Sequence, residues 1–345
     1  MCYFRAVTIF THFQELQVQR FIKKIVDCFF LLRFPLLAPV WTIFILGWIC
    51  ASGTLMPGGV FSVSPVDIAI WTRLWLILAG FSLIVASIYV VNQIVDIESD
   101  RINKKLFLLP HGILTIRTAW ILAFACAGGG FAIALQFNRT ILMLFVISLL
   151  LGIAYNLPPL SLKNHSLGGV IANSLGHGAL TFLAGWYTAY YPSGLSSDIT
   201  VAGLIASISP ALANGAVFLA TTIPDAEGDK LTGKKTFYLQ YGPRTTSWLS
   251  ALLCAGACIG AFFMGPHFWV MLLPSVISLV FFLLLAFNCR QDLAFRAFKW
   301  PVFLLSASVA LFVPTYGILI IVTFFSSRLY YKWRFGIDYP TFKSK

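Results

Sequence analysis

Two short stretches hold half of the acidic side chains of this chain. The chain has 12 Asp and Glu residues, of which three lie in DIESD (96–100) and three in DAEGD (225–229). In both stretches a basic residue, an aliphatic residue and a pair of lysines follow the acids. Clustered carboxylates bind hard divalent cations, and Mg²⁺ commonly joins one or two carboxylates to phosphate oxygens. The pattern therefore predicts a site for metal ions and a diphosphate, with the lysines facing the remaining phosphate oxygens.

The spacing of these acidic residues suits one face of a helix. Asn92, Asp96 and Asp100 lie four residues apart, so their side chains point the same way if the helix continues through the first stretch. Asp225 and Asp229 have the same spacing in the second stretch. We therefore expect two helix ends that each present an oxygen-rich face, while the central glutamate of each stretch points away.

Carboxylates are too costly to lie in the middle of a bilayer. Each would cost roughly 2.5–3.5 kcal/mol on insertion scales, and six would cost on the order of 15–20 kcal/mol, comparable to the stability of a whole domain. We therefore expect both stretches near the membrane–water interface, neutralised by cations. A solvated helix cap would explain one such loop, but it explains less well why the same pattern occurs twice.

The composition is that of an integral membrane protein. The mean hydropathy is +0.86, and a content of 59% hydrophobic and 10% charged residues lies outside the range of soluble domains. Long apolar runs without strand-like alternation favour helices, because lipid requires every backbone polar group to be bonded within its own element. Nine runs are long enough to cross a bilayer at roughly 20 residues each: about 34–53, 73–95, 115–136, 140–157, 168–190, 199–222, 246–264, 268–288 and 300–325. The sequence predicts an all-α, polytopic membrane protein whose helices form a bundle, with no second soluble domain.

We expect three segments along the chain. Residues 1–33 mix apolar and basic side chains, which is typical of an amphipathic helix that lies on the membrane surface, and nothing in them resembles a cleaved signal peptide. Residues 34–325 form the transmembrane domain, and residues 326–345 form a basic tail. Most of the seven cysteines fall inside spans without metal-ligand spacing, so we expect buried thiols rather than disulfides or a zinc site.

The basic residues are concentrated in the loops after the even-numbered spans. The net charge is +12, and by the positive-inside rule these loops, which include both acidic stretches, face the cytoplasm. The C-terminal tail disagrees, because nine spans place it on the opposite side although it carries Arg328, Lys332, Arg334, Lys343 and Lys345. Either the number of spans is wrong by one, or the tail binds lipid headgroups on the far face.

Three stretches resemble the motifs of one family. NQIVDIESDRINK (92–104) resembles the first aspartate motif of the UbiA superfamily of intramembrane prenyltransferases, and PDAEGDKLTGKKTF (224–237) resembles the second. YNLPPLSLK (155–163) resembles the Tyr-x-x-Pro-Pro…Lys segment of the family. All three stand in the family's order, each in a loop after an even-numbered span. Gln93 stands where the family usually has Asp, and this form looks most similar to the homogentisate phytyltransferase and chlorophyll synthase branch.

The resemblance implies a fold, a reaction and a metal. It implies an all-α bundle around a central cavity, a polyprenyl diphosphate held by two Mg²⁺ ions, and transfer of the prenyl group to a lipophilic acceptor. Asn92, Asp96 and Asp100 would hold one ion, and Asp225 and Asp229 the other. The four aspartates would thus be catalytic, because the ions would act as Lewis acids on the departing diphosphate.

Several further residues are candidates for binding the substrates. Four basic side chains could reach diphosphate oxygens: Arg101, Lys104, Lys163 and Lys230. Lys163 is the strongest because it ends the third family segment, although a lysine at a helix end can also simply extend its ammonium to the interface. Tyr155 could shield an allylic cation, since aromatic faces stabilise cations, but core packing explains most aromatic residues in such a chain.

Two polar residues inside spans are candidates as well, because polar groups in a membrane are often functional. His177 lies among glycines that permit close helix packing and could contact the acceptor or the diphosphate. A hydrogen bond to a neighbouring helix is the simpler explanation for it. Asn214 precedes Asp225 on the same helix face. Arg33, at the mouth of the first span, could meet a phosphate or could serve only as a positive-inside anchor.

Other functions are open on the sequence alone. A cation or metabolite transporter could use paired carboxylates, but it would usually place them nearer mid-membrane on broken helices. A CDP-alcohol phosphotransferase also pairs aspartates with metals, but its Asp-Gly…Ala-Arg…Gly spacing is missing. Within prenyl transfer we expect an aromatic or quinone-precursor acceptor, and a chlorin, a carotenoid or a glycerol phosphate is the alternative. We expect the lipid bilayer but no nucleic acid as a partner, and a cell inner membrane with the site on the cytoplasmic side.

Overall fold

The computed structural model describes residues 21–52, 65–102, 108–189 and 200–340, together with residues 17 and 19. In these ranges every regular element is a helix, which confirms the predicted all-α class. The α-helices are α1 (21–31), α2 (Phe34–Ser52), α3 (Pro65–Val95), α4 (Ile97–Ile102), α5 (Ile116–Ala134), α6 (Arg139–Asn156), α7 (Ser166–Asn173), α8 (Thr181–Ala189), α9 (Val201–Ala206), α10 (Ile208–Leu231), α11 (Phe237–Ala261), α12 (Trp269–Asn288), α13 (Gln291–Phe312) and α14 (Pro314–Phe335). A short 3₁₀ helix (Leu162–Asn164) precedes α7, and a π-helix (Ser174–Leu180) joins α7 to α8.

Polar side chains cap the first turns of α5 and α6. The Thr115 hydroxyl accepts a hydrogen bond from the Thr118 amide at 3.1 Å, and the Asn138 side chain accepts one from the Ile141 amide at 2.9 Å. Each satisfies one of the backbone donors that a helix start leaves unpaired. These caps define the first residues of α5 and α6, which hydropathy alone locates only approximately.

Eight helical stretches in the described residues are long and apolar enough to cross a membrane. They are Phe21–Ser52, Ile68–Val95, Ile116–Ala134, Arg139–Asn156, Ser166–Ala189, Val201–Leu231, Trp269–Asn288 and Gln291–Phe312. The helices α11 and α14 have 25 and 22 residues and are not among these eight. The α11 helix, which corresponds to the predicted seventh span, packs along both α10 and α12.

The predicted ninth span, 300–325, is wrong in its bounds. The structure ends α13 at Phe312 and begins α14 at Pro314. Proline lacks an amide hydrogen and is favoured in the first turn of a helix rather than in its interior. The apolar run therefore holds the end of one helix and the start of the next, which packs against both α13 and α2.

The end of α14 lies beside the start of the bundle. The buried Asp27 carboxylate accepts hydrogen bonds from the Tyr330 hydroxyl at 2.7 Å and from Arg334 Nε at 3.1 Å. The rings of Phe30 and Tyr330 stack with centroids 3.7 Å apart. The basic residues at the end of α14 thus lie on the side of the bundle where α1 lies.

Close contact between α2 and α8 holds the centre of the bundle. A Cβ at Gly47 would overlap the carbonyl of Phe182, and a Cβ at Gly185 would overlap the carbonyl of Phe44. Only glycine allows two backbones to approach this closely. Around this crossing lies the main core, which is built from the buried apolar side chains of several helices, including α2, α3, α6, α8 and α13.

The segment before α2 has apolar side chains on its surface. Phe21, Ile22, Ile25 and Phe29 are all exposed, and the chain then turns at Arg33, which has a positive φ of 56°. An exposed apolar face next to a bend fits the interfacial helix that we predict for residues 1–33. Residues 1–16, 18 and 20 lie outside the described residues, and the assignment of residues 1–33 to an interfacial segment stays a prediction.

Candidate active site

The first acidic stretch continues the helical path of α3. The backbone amide of Asp96 donates to the Asn92 carbonyl at 2.9 Å, and the amide of Asp100 donates to the Asp96 carbonyl at 2.8 Å. The predicted face is therefore formed, and the Asn92 side-chain amide donates to Asp96 Oδ2 at 2.8 Å. Asp100 is buried with 8% of its surface exposed.

The second acidic stretch forms the last turns of α10. Asp229 is buried and Asp225 is half-buried. The helix ends in a left-handed turn at Gly233, whose φ is 71°, and the amide of Lys234 donates back to the Asp229 carbonyl at 3.0 Å. A glycine of this kind is a common helix stop, since it reverses the chain without strain from a Cβ. The turn places Lys234 next to the acids of α10.

Two lysines join the acidic stretches. Lys163 Nζ lies 2.8 Å from Asp96 Oδ1, and the side chain of Lys163 is only 6% exposed. Lys234 Nζ lies 3.2 Å from the same Asp96 oxygen and 3.5 Å from Asp229 Oδ1. It also donates to the Ser99 hydroxyl at 3.1 Å. One ammonium therefore links an aspartate of α3–α4 to an aspartate of α10, so the two stretches face a common point.

The charges in this cluster stabilise one another against burial. Burial opposes ionisation of Asp96, but the ammonium groups of Lys163 and Lys234 outweigh it, and the pKa of Asp96 lies below its ordinary value of 3.8. Burial also opposes the charge of Lys234, but Asp96 and Asp229 together raise its pKa. The pKa of Lys163 is lowered, because burial, together with the nearby charge of Lys234, outweighs the attraction of Asp96 and Asp100. The cluster thus holds Asp96 ionised at neutral pH.

The turn after α6 brings Lys163 into the cluster. Lys163 lies in the 3₁₀ helix Leu162–Asn164, and the next carbonyl, that of Asn164, accepts a hydrogen bond from the Lys235 amide at 3.3 Å. Asn156, at the end of α6, accepts a hydrogen bond from the Asn92 side chain at 2.8 Å. Backbone and side-chain contacts thus tie the three segments that resembled family motifs to one another.

Two residues near the start of the bundle complete this end of the site. Arg33 Nη1 lies 3.4 Å from Asn92 Oδ1, which directs the guanidinium of Arg33 toward the aspartate face. Gln93, the departure from the usual motif, points elsewhere. Its side-chain amide donates to the Leu31 carbonyl at 2.7 Å and to the Tyr89 carbonyl at 3.1 Å. Gln93 is therefore a structural link to α1.

Other candidates lie apart from the cluster. Arg101 pairs with Glu98 at 2.8 Å, and both side chains are more than half exposed. Glu98 thus orients a basic residue, as its place on the opposite helix face suggests. Lys230 and Glu227 are exposed on the surface of α10. Lys104 lies outside the described residues.

The intramembrane candidates lie one layer deeper. The Asn214 side chain donates to the Asn173 carbonyl at 2.8 Å, where α10 packs against α7, and Tyr155 lies at the end of α6. His177 lies in the π-helix with its ring centroid 5.7 Å from that of Tyr89. π-Helical turns are rare in proteins as a whole, and those that occur often lie at functional sites.

A cavity of about 60 Å³ lies inside the bundle, between α2 and the helices α10 to α13. Its lining is mostly apolar and includes Ile43, Val217, Met271 and Leu305, with Asn214 among its few polar groups. Asn214 precedes Asp225 by 11 residues of α10, which is roughly 16 Å along a helix. The cavity therefore lies well below the charged cluster, at membrane depth.

The sequence profile of the UbiA prenyltransferase family matches residues 48–307, which include both acidic stretches and the Lys163 turn. The chain belongs to this family. The resemblance seen in the three motifs is thereby confirmed.

Individual relatives share about a quarter to a third of their residues with this UbiA-family chain. It is 31% identical over 205 residues to the rice (Oryza sativa subsp. japonica) protein named "Probable homogentisate phytyltransferase 2, chloroplastic", with 56% of this chain and 54% of the rice protein covered. It is 27% identical over 225 residues to homogentisate phytyltransferase from Synechocystis sp., with 63% and 67% covered. The chain thus spans about half the length of several curated relatives that it matches.

Solved structures show the same fold. A UbiA homologue from Archaeoglobus fulgidus, bound to GPP and Mg²⁺, matches with a TM-score of 0.60 at 20% identity, over 86% of this chain and 100% of that one. A digeranylgeranylglyceryl phosphate synthase matches with a TM-score of 0.56 at 19% identity, over 87% and 98%.

Sequence reasoning missed the most central cation of the cluster. Lys230 was chosen as the basic partner of the second stretch, but Lys234 is the lysine that reaches both acidic stretches. The Thr-Gly pair before Lys234 is a helix stop signal, and it could have indicated that the chain turns back there. Asn156 and Ser99 gave no signal of their own.

Proposed function

We propose that this protein transfers a prenyl group from a prenyl diphosphate to a lipophilic acceptor within the membrane, in a Mg²⁺-dependent reaction. The observation that supports this most is the Lys234 ammonium, which lies within 3.5 Å of both Asp96 and Asp229. The two aspartate-bearing helix ends therefore face one point, at the end of the bundle and above an apolar cavity. A charged diphosphate with an apolar tail needs such a combination of surfaces.

The donor atoms fit magnesium. The cluster offers carboxylate oxygens and the amide oxygen of Asn92, which are the hard ligands that Mg²⁺ prefers. Among the described residues, no three carboxylate, histidine or cysteine side chains lie close enough to form a complete metal site. That suits Mg²⁺, which is usually held by one or two carboxylates while water and substrate phosphate supply the other ligands. We assign Asn92, Asp96 and Asp100 to one ion and Asp225 and Asp229 to a second.

When bound, magnesium would neutralise the diphosphate and act as a Lewis acid as its bond to the prenyl carbon breaks. The protein's own part is to position and compensate charge. Lys163, Lys234 and Arg33 are placed to bind diphosphate oxygens, since ammonium and guanidinium groups form strong charge-assisted hydrogen bonds with phosphate. Tyr155 directly precedes Asn156, which contacts Asn92, and at this end of α6 its aromatic face can stabilise an allylic cation and exclude water.

The acceptor is best assigned to the aromatic class. Relatives from rice and Synechocystis are named for homogentisate, and those from Humulus lupulus for acylphloroglucinol, all of which are aromatic acceptors. In this chain Asn214 and His177 supply polar groups below the aspartates, where the ring of an acceptor would lie. Relatives named bacteriochlorophyll synthase and digeranylgeranylglyceryl phosphate synthase favour a chlorin or a glycerol phosphate as the second candidate.

The cluster lies on the cytoplasmic side of the membrane in this proposal. The end of α14 joins α1 through Asp27 and Arg334, so the basic residues there no longer oppose the positive-inside assignment of the other loops. The membrane is a cell inner membrane in the simplest case, while relatives from plants are chloroplastic.

The test is prenyl transfer by the purified chain in lipid vesicles. Tritiated geranylgeranyl, phytyl and farnesyl diphosphates are each combined with homogentisate, a chlorin or a glycerol phosphate, with Mg²⁺ or with EDTA. We expect Mg²⁺-dependent transfer to an aromatic acceptor, lost in Asp96→Ala and Asp225→Ala but retained in Glu227→Ala, whose side chain is exposed. Cation uptake by the vesicles without any transfer product would reject the enzyme in favour of a transporter.

A further inference from the structure

Lys234 has a position that a divalent cation would also need. Its ammonium lies 3.2 Å from Asp96 Oδ1 and 3.5 Å from Asp229 Oδ1, and its side chain is 17% exposed. A Mg²⁺ ion on either of these carboxylates would lie about 2.0–2.1 Å from the oxygen that binds it, and where that oxygen is Asp96 Oδ1 or Asp229 Oδ1 it would meet the ammonium. An ammonium and a metal ion cannot both occupy that space, and their like charges repel each other.

The structure holds the ammonium there by several contacts. The left-handed turn at Gly233 directs Lys234 back toward α10, and the Ser99 hydroxyl accepts a hydrogen bond from its Nζ at 3.1 Å. The next residue, Lys235, is tied through its amide to the Asn164 carbonyl. Lys230 and Leu231, which lie on the last turn of α10, are exposed.

A lysine is suited to leave such a position. Its ammonium is a compact charge on a flexible four-carbon stem, so rotation of the side chain can move the charge several ångströms while the backbone stays in place. Lys163 remains with Asp96 when Lys234 moves, at 2.8 Å. Asp96 therefore keeps one compensating cation throughout an exchange.

We propose that Lys234 is an internal counter-cation that competes with the divalent metal ion for Asp96 and Asp229, and that it lowers the affinity of the site for metal alone. The inference rests on the proposed function in that it takes the site to bind a divalent cation. Under it, a metal ion binds well only when another anion, such as the diphosphate, receives the displaced ammonium. The two ligands then favour each other's binding, because each removes a cost from the other.

The test is the affinity for Mn²⁺ alone, measured by electron paramagnetic resonance on the full chain in detergent. We expect Lys234→Met to bind Mn²⁺ at least about tenfold more tightly than the wild type, within the usual range of coupling between two competing or cooperating ligands, about 5- to 150-fold. The control Lys230→Met removes the same charge from an exposed position on the last turn of α10, four residues before Lys234, and should leave the affinity unchanged. Equal or weaker binding by Lys234→Met would overturn the inference, because a purely structural ion pair gives that result.

A second variant covers the case in which Lys234→Met does not fold. Ser99→Ala keeps every charge and removes only the hydroxyl that holds the ammonium, so we expect Mn²⁺ affinity to rise about twofold to tenfold. No rise in this variant would reject the inference. Wild-type prenyl transfer is measured on the same preparation, and its absence beside a rise in Mn²⁺ affinity would reject the proposed function and leave the role of Lys234 standing.

Discussion

The role of Lys163 can be separated from that of an ordinary interfacial lysine by replacing it with methionine. A lysine that merely extends to the membrane surface would be solvated, whereas Lys163 is 6% exposed and pairs with Asp96 at 2.8 Å. Methionine keeps the length and apolar character of the stem and removes the charge. The change therefore tests the ammonium rather than the packing.

The contacts of Asp96 set the expected loss of stability. At 2.8 Å and an effective dielectric constant of 20, the attraction of the pair is about 6 kcal/mol before desolvation, and breaking a buried pair typically costs ~3–5 kcal/mol. In the variant Asp96 keeps Lys234 at 3.2 Å and the Asn92 amide at 2.8 Å. We therefore expect the free energy of unfolding to fall by less than that range, by about 2 kcal/mol. For catalysis, losing one charge-assisted hydrogen bond to the diphosphate costs ~1.5–3 kcal/mol, which corresponds to a decrease in kcat/KM of roughly 10- to 150-fold.

Two measurements check this expectation. Thermal unfolding in detergent reports the stability, and steady-state prenyl transfer with the diphosphate as the varied substrate reports kcat/KM. Lys230→Met is the matched control, and we expect it to stay within about 0.5 kcal/mol of the wild type because Lys230 is exposed. If Lys163→Met and Lys230→Met behave alike in both assays, Lys163 is an anchor and our assignment is wrong.

Three further outcomes follow from the fold and the charge cluster. Gly185→Ala should lose ~1–3 kcal/mol of stability in thermal unfolding, because its Cβ would overlap a backbone carbonyl of α2. Asp27→Ala should lose about 3 kcal/mol in the same assay, because it leaves a partly buried arginine and a buried tyrosine hydroxyl without their shared acceptor. In acid, the stability contributed by the lowered pKa of Asp96 should be complete above its ordinary value of 3.8 and be lost as the pH falls through the folded value.

Each of these predictions has its own control. Gly128→Ala meets open space and should be neutral or slightly stabilising, so a loss equal to that of Gly185→Ala would point to a general intolerance of these helices. Asp338→Ala removes an exposed ion pair and should cost less than about 1 kcal/mol. Asp96→Asn should flatten the acid limb of the stability curve. An unchanged limb would mean that other carboxylates determine it.

The parts of this fold that follow from local periodicity could be predicted from the sequence. The i, i+4 spacing placed Asn92 and Asp96 on one face, and the two side chains are hydrogen-bonded there. The choice between Lys230 and Lys234 depended on the path of the chain after α10. Lys230 directly follows Asp229 in the sequence but points to the surface of the helix, whereas the left-handed turn at Gly233 ends the helix and carries Lys234 inward.

Hydropathy did not predict the boundary between α13 and α14, because a single apolar run covers the end of one helix and the start of the other. The residues around Val313 are as apolar as those before and after them, so a window cannot detect the boundary, whereas Pro314 gives a specific stop-and-start signal. Pairings between distant segments gave no sequence signal. The contacts of Gln93 with the Leu31 carbonyl and of Asn156 with Asn92 join residues 62 and 64 positions apart, and they depend on the finished bundle.

The pairing of Asp27 with the far end of α14 also has a consequence for biosynthesis. The Asp27 carboxylate accepts hydrogen bonds from Tyr330 and Arg334, which lie 303 and 307 positions later in the chain. The contact between α1 and α14 can therefore form only after α14 has been synthesised, and a chain that stops before α14 lacks it.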